Sequence, residues 1–233
     1  MIVSQLTFLP EGLITARVQA EPADGQPTVE EYLYALDCAL KASGRQPVGR
    51  VAWRTAKDQP DALECTVAAL PKVTLADYRG IVVQSVSASQ QVDAHRAAEQ
   101  AARACELEVP ALAIDLEVDW QWRQLERRLK TNHITLQQHL DRLRTTPDRF
   151  SSKLRGYAQQ DLHLRCALLA IACTEGFIVT DEKLAAAVRQ AQLRGIRQPD
   201  RMQLRQQLLV QQAVDLIWQN TTVLPAPVQE EQA

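Results

Sequence analysis

Over the first 20 positions apolar and polar residues alternate, with Leu6 and Phe8 on one side of one run and Ile14, Ala16, Val18 and Ala20 on one side of the next. A period of two interrupted by Pro-Glu-Gly predicts a β-hairpin. The period then lengthens: Val29, Leu33, Leu36 and Leu40 fall on one stripe of a helix from about Val29 to Ser43. Thr28 and Glu31 have capping-box spacing at its start, and Gly44 suits the left-handed conformation that ends it. Alternation returns twice more, with Val51 and Trp53 on one strand and Leu63, Cys65, Val67 and Ala69 on another, separated by the turn chemistry of "AKDQPD". Residues 1 to about 70 therefore read as one helix on about four strands.

From about Ser89 the pattern is helical. "SQQVDAHRAAEQAARACE" is rich in alanine and straight-chain residues, which lose little side-chain freedom in a helix. Pro110 suits the first turn of a helix from about Ala111 to Lys130, with Leu112, Leu116, Val118, Trp122, Leu125 and Leu129 as its apolar face. Thr135 and Gln138 open a short helix carrying Leu136, Leu140 and Leu143. Thr146 and Pro147 restart the chain into a helix holding Leu154, Leu164, Leu168 and Ile171, which ends at Gly176. Thr180 caps the next one, with Asp181 and Glu182 at the positive end of its dipole. A last helix carries Leu204, Leu208, Leu209, Leu216, Ile217 and Trp218. The expected fold class is α+β: a small N-terminal α+β domain over residues 1–84, an all-α domain with helical arms over 85–224, and a disordered tail over 225–233.

Charge changes this picture in one place. The net charge is only -2, yet residues 123–155 hold nine bases and three acids. Arg123, Arg127, Arg128, Lys130, Arg142, Arg144, Arg149, Lys153 and Arg155 make that stretch a candidate contact for an anionic partner such as RNA or a ribosome surface, against the plainer reading of a solvated face. No apolar run is long enough to span a bilayer, and "MIVSQLTFLPEG" lacks the basic and apolar regions of a leader, so no membrane is expected and the cytoplasm is the expected location. The five cysteines (Cys38, Cys65, Cys105, Cys166, Cys173) have no paired spacing and read as reduced, buried small hydrophobes. The four histidines have no metal-ligand spacing.

Catalytic chemistry finds no footing. The chain has no nucleophile elbow, dinucleotide fingerprint, phosphate loop or zinc pattern, and only eight glycines. Asp115, Glu117 and Asp119 are two apart, so on a helix successive members point about 200° apart around the axis; they read as a solvated face. No catalytic residue, metal or cofactor is expected.

The order of several motifs nevertheless resembles the trigger factor family of bacterial chaperones. "ALLAIACTEGFIVTDEKLAAAV" (167–188) is the most specific likeness, and "EVPALAIDLEVDWQWRQLERRL" (108–129) is similar to the start of that family's arm helix. "QLLVQQAVDLIWQNTTV" (207–223) is similar to its last helix and the short extended segment that follows. "EEYLYALDCALKASGRQPVGRV" and "LPKVTLADYRGIVV" resemble parts of its N-terminal domain and linker. Two departures stand out. Only "EPADGQP" occupies the place of the family's ribosome-docking hairpin, and about 25 residues separate Val83 from Val109, too few for its FKBP-like prolyl isomerase domain.

The resemblance implies an ATP-independent chaperone or peptide-binding protein that holds unfolded or nascent polypeptides in a helical cradle, without the usual ribosome docking and without isomerase activity. Candidate contact residues are Trp120, Trp122, Leu125 and Leu129 on one arm and Leu136, Leu140, Leu143 and Phe150 at its tip; core packing is the competing reading for each. Two alternatives remain open: a module for one dedicated partner or for self-association as a homodimer, and a nucleic-acid or ribosome-surface binder using the basic stretch.

Overall fold

The alternating residues of the first run form β1 (Ile2–Leu9), which pairs antiparallel with β2 (Leu13–Gln19) around Gly12. The computed structural model describes residues 2–9, 12–19, 29–57, 62–85, 90–197 and 199–225. β3 (Pro47–Thr55) and β4 (Ala62–Ala69) complete an antiparallel sheet of order β1-β2-β4-β3. Opposed residues share a face in such a ladder. Ile14 lies opposite Val67 and Ala16 opposite Cys65, and α1 (Val29–Ser43) covers this face with Leu36 and Leu40. The expected helix-on-sheet unit is thus present. The capping box read at Thr28 and Glu31, the side chains of Val29 and Ala20, and the segment 21–27 lie outside the described residues, as do residues 58–61 of the β3–β4 turn.

The opposite face of the sheet is also used. Val48 and Ala68 point away from α1 into a large core built by the helices that follow. These are α2 (Gln90–Arg103), α3 (Ala111–Thr131), α4 (Leu136–Arg142), α5 (Pro147–Thr174), α6 (Asp181–Leu193) and α7 (Arg201–Gln219). The core contains Ala97, Ala98 and Ala101 of α2, Ala113 and Ile114 of α3, and Leu162, Cys166 and Leu169 of α5. Leu184 of α6 and Leu209, Ala213 and Ile217 of α7 complete it. Alanine at the crossings lets backbones approach closely. Burial of this apolar surface is the main force holding the sheet to the helices.

Local chemistry sets the helix starts. Thr135 and Gln138 bond reciprocally as a capping box, Thr146 accepts from the Arg149 N–H with Pro147 as first helical residue, and Thr180 accepts from the Lys183 N–H. Asp200 does the same for Gln203 at the start of α7. The segment 70–85 follows β4 and crosses to the helices. Asp77 accepts a hydrogen bond from the Arg79 N–H, Gly80 adopts φ 74°, and Val82–Gln84 becomes β5. β5 pairs in parallel with β6 (Thr222–Leu224), so the linker and the end of the chain close one small two-stranded sheet.

Three sequence expectations need correction. Glu117 is not on a solvated face: it is buried at 3% exposure, while Asp115 and Asp119 are exposed as expected. The 200° step that kept the three acids from converging is what sends Glu117 inward. Cys65, Cys105 and Cys166 are buried, but Cys38 and Cys173 are exposed. Burial pushes the Cys65 and Cys166 thiols up to about 12, which keeps them protonated and unreactive. On α3, the residues that reach the core are Ala113 and Ile114, with Leu112, Leu116 and Val118 only half-buried, because the sheet approaches from β3. Residues 226–233, most of the expected tail, lie outside the described residues.

Candidate functional site

The C-terminal half of α3, α4 and the N-terminal half of α5 form an arm that is nearly coreless. Between residues 119 and 157 the buried side chains are Leu125, Leu129 and Leu140. They close the arm on itself. Trp122 and Phe150 are half-buried and meet edge to face with ring centroids 5.3 Å apart, and His139 lies against the same Phe150 at 6.0 Å. Leu136 and Leu143 are exposed at the tip, Leu143 at 51%. Of the eight candidate contact residues, three therefore face inward, two cover each other, and Leu136, Leu143 and Trp120 reach the surface. Tyr157, which sequence reading passed over, is exposed at 65% at the inner end of the arm.

Trp120 marks the base of the arm. The Arg50 guanidinium lies 3.6 Å from the centre of its ring, and the Arg50 Nε donates to Glu117 Oε2 at 2.9 Å. Burial pulls the pKa of Arg50 below its ordinary value, opposed by the Glu117 carboxylate beside it. Arg50 belongs to a bulge in β3, where pairing jumps from Val48 to Ala52. Gly49 sits in this bulge at φ 72°, and a Cβ there would lie 3.4 Å from the Ala113 Cβ and 3.6 Å from Leu162 Cδ2. Its carbonyl accepts a hydrogen bond from the Gln203 side chain of α7. Sheet, α3, α5 and α7 are locked together at this point, and the arm springs from it.

The basic residues cluster on the arm as the sequence suggested. Arg123, Arg127, Arg128, Lys130, Arg142, Arg144, Arg149 and Lys153 are all exposed and, among the described residues, have no carboxylate partner, whereas Arg155 pairs with Asp115. Among the described residues no group of three or more His, Cys, Asp or Glu side chains stands close enough to hold a metal, and no helix is long and apolar enough to cross a membrane.

A second surface lies on the body. α2, α5 and α7 border a hollow of about 590 Å³, with Leu164, Leu168, Val210, Val214 and Trp218 as its apolar wall. Glutamines 90, 91, 203, 206, 207 and 211 line much of the rest, together with His95, Asp161, Arg165 and Asp215. Gln206 is 1% exposed, and among the described residues neither its side-chain N nor its O has a hydrogen-bond partner. A second hollow of about 800 Å³ shares His95, Asp161 and Leu164 with the first and continues between α2 and α5 to Tyr157. The abundance of glutamine in "RMQLRQQLLVQQ" was the one sequence signal for this groove.

Two of the motifs that carried the family resemblance meet in space. Tyr78 Oη, from the linker, donates to Glu175 Oε1 at 2.6 Å, and Arg79 donates to both Glu175 oxygens at 2.6 and 2.8 Å. The hydrogen bonds from Tyr78 and then Arg79 hold the Glu175 carboxyl below the usual carboxylate range. The "TEGF" turn thus clamps the linker where β5 begins. A similar tie joins α1 to the helices: Arg205 Nε and Nη2 donate to the two oxygens of buried Asp37 at 2.9 and 2.8 Å.

Comparison with known proteins assigns the sequence to a family. The family model described as "Bacterial trigger factor protein (TF) C-terminus" matches residues 84–219, more than half of the chain, from the end of β5 through α7. The trigger factor of Moorella thermoacetica is similar to 98% of the chain, with 24% identity over 251 aligned residues, and that of Carboxydothermus hydrogenoformans is 31% identical over 86 residues, 37% of the chain. The chain spans 53% of the first relative and 20% of the second, about half the length or less. With its helical body matched from end to end, the chain belongs to the trigger factor family.

Proposed function

We propose that the protein is an ATP-independent chaperone that holds unfolded polypeptide segments against its helical domain. One observation carries this reading: over residues 119–157 the arm buries only Leu125, Leu129 and Leu140, yet leaves Trp120, Leu136, Leu143 and Tyr157 exposed. Apolar side chains displayed on a structure with so little core of its own offer many weak, non-directional contacts, which suits clients of varied sequence. Residues 1–84 serve as a compact base resembling a truncated trigger factor N-terminal domain, and residues 85–224 as the binding domain. A non-catalytic role is supported by the stretch where the resemblance would place an isomerase domain; its described residues, 90–108, hold α2 and a short connection.

The test is light scattering by a chemically unfolded client diluted into buffer. Stoichiometric protein is expected to suppress aggregation at least by half; no suppression would end this reading. A second reading is favoured by the eight arm cations that have no carboxylate partner among the described residues, which suit a polyanion such as RNA. Binding to RNA that weakens steeply with salt would support it, since neutralised phosphates release counterions.

A further inference from the structure

We propose that the groove along α2, α5 and α7 binds a short stretch of extended polypeptide, and that Gln206 at its floor pairs with the backbone of that stretch. This rests on the polypeptide-holding reading above and gives it a place on the body in addition to the arm.

The argument begins with a cost. A carboxamide removed from water with neither its N–H nor its oxygen bonded is destabilising, and such groups in a packed interior call for a partner. Gln206 is in that state at 1% exposure, in a groove with an apolar wall of Leu164, Leu168, Val210, Val214 and Trp218. A carboxamide offers a donor and an acceptor side by side. One residue of an extended chain turns its own C=O and N–H to the same side, which is the pairing used between antiparallel strands. The Gln206 Nε2 would donate to that C=O, and its Oε1 would accept from that N–H.

The shape of the groove agrees. The two hollows share His95, Asp161 and Leu164, so they run in line from Trp218 to Tyr157. Along α5 this is the span from Leu168 to Gly156, about 18 Å at the helical rise, the length of some five or six extended residues. The apolar wall of Leu164, Val210 and Val214 would take alternate side chains of the chain. The rim glutamines 90, 91, 207 and 211 are exposed and unbranched, so their side chains can make way for a bound chain by fast rotamer changes. A nucleobase also presents a paired donor and acceptor to glutamine, but the walls give no free cation for its phosphate. Arg165 faces Asp161, and Arg103 faces Glu99.

The test uses the full chain and a fluorescent eight-residue peptide of alternating valine and serine, with two relatives methylated at alternate backbone nitrogens in the two registers. In one register methylation is expected to weaken binding to the unaltered protein about tenfold, the loss of one to two hydrogen bonds. With Gln206→Leu the same methylation is expected to change affinity less than twofold. This variant removes an unbonded buried amide, so thermal unfolding should show it at least as stable. Val210→Glu, at a half-buried position on the wall, is a second variant and is expected to abolish peptide binding. Equal sensitivity to methylation in the unaltered protein and Gln206→Leu would overturn the inference, as would adenosine binding that depends on Gln206 in place of peptide. If the peptide does not bind but client aggregation is still suppressed, this inference falls while the chaperone reading stands. If both fail, both fall.

Discussion

From Ala158 to Ala172, α5 buries nine side chains, among them Leu162, Cys166, Leu169 and Ile171; from Pro147 to Tyr157 it buries none. One continuous helix therefore serves as a core element at one end and as half of a solvated arm at the other. The inner half packs against α2, α3, α7 and the β3 bulge. Among the described residues the outer half leans on α3 and α4, and its sequence, "PDRFSSKLRGY", is correspondingly polar. The buried side chains are concentrated in the root, and the arm displays exposed apolar ones. The two regions should respond oppositely to substitution.

The root should show the largest losses. Leu162→Ala removes a fully buried side chain whose Cδ2 fills the space over Gly49, and rigid neighbours on the sheet and α3 prevent collapse. Chemical denaturation is expected to show a loss of roughly 2–5 kcal/mol. A loss below about 1 kcal/mol would mean that sheet and helices are held together elsewhere.

Next comes the joint where the arm meets the sheet. Glu117→Ala leaves Arg50 partly buried without its carboxylate, and is expected to lower stability by about 3 kcal/mol, the scale for breaking a buried pair. Replacing both, as Arg50→Met with Glu117→Leu, should recover most of the loss. Failure to recover would show that the stacking of Arg50 on Trp120 outweighs the ion pair.

The clamps around the root predict a pH dependence. Glu175 is held down by hydrogen bonds from Tyr78 and Arg79, Glu64 by those from Arg17 and Arg54, and Asp181 by that from Lys41. A carboxyl with a depressed folded pKa contributes stability above its unfolded pKa, about 4, and loses it as pH falls through the folded value. Unfolding monitored by circular dichroism should therefore begin below about pH 4. Asp200, raised by burial, works in the opposite sense, favouring the fold while protonated, so it softens the acid transition. Glu175→Gln should lessen the acid sensitivity; an unchanged profile would remove that clamp from the account.

Much of this architecture was legible in local signals. Thr135, Thr146 and Thr180 mark their helix starts because a capping hydroxyl acts within three residues, and Gly44 and Gly176 adopt the positive φ that their places required. What escaped was non-local. Nothing near Glu117 in the sequence announces Arg50, 67 positions away, and nothing in Thr222–Leu224 announces a parallel partner at Val82–Gln84. Apolar character alone cannot separate Leu140, turned into the arm, from Leu143, turned out. Gln206 was harder still, since a buried amide is written with the same letter as its exposed neighbours.

That last distinction gives the finest test of root against arm. Leu136 and Leu143 lie at the ends of α4, each exposed, so replacing both with serine removes apolar surface that supports no core. Exposed sites of this kind change stability by about 0.5 kcal/mol or less. The double variant should unfold almost where the unaltered protein does. Its protection of an unfolded client should nevertheless fall, by about twofold if the tip shares the load with Trp120, Tyr157 and the body groove, because each lost leucine contact is worth only part of its transfer energy at a half-exposed site. Leu140→Ser, three residues before Leu143, is the control: buried at 1% exposure, it should lower stability first and protection only as a consequence. If instead the double variant protects clients fully, the arm is a solvated strut, and the groove on the body carries the binding alone.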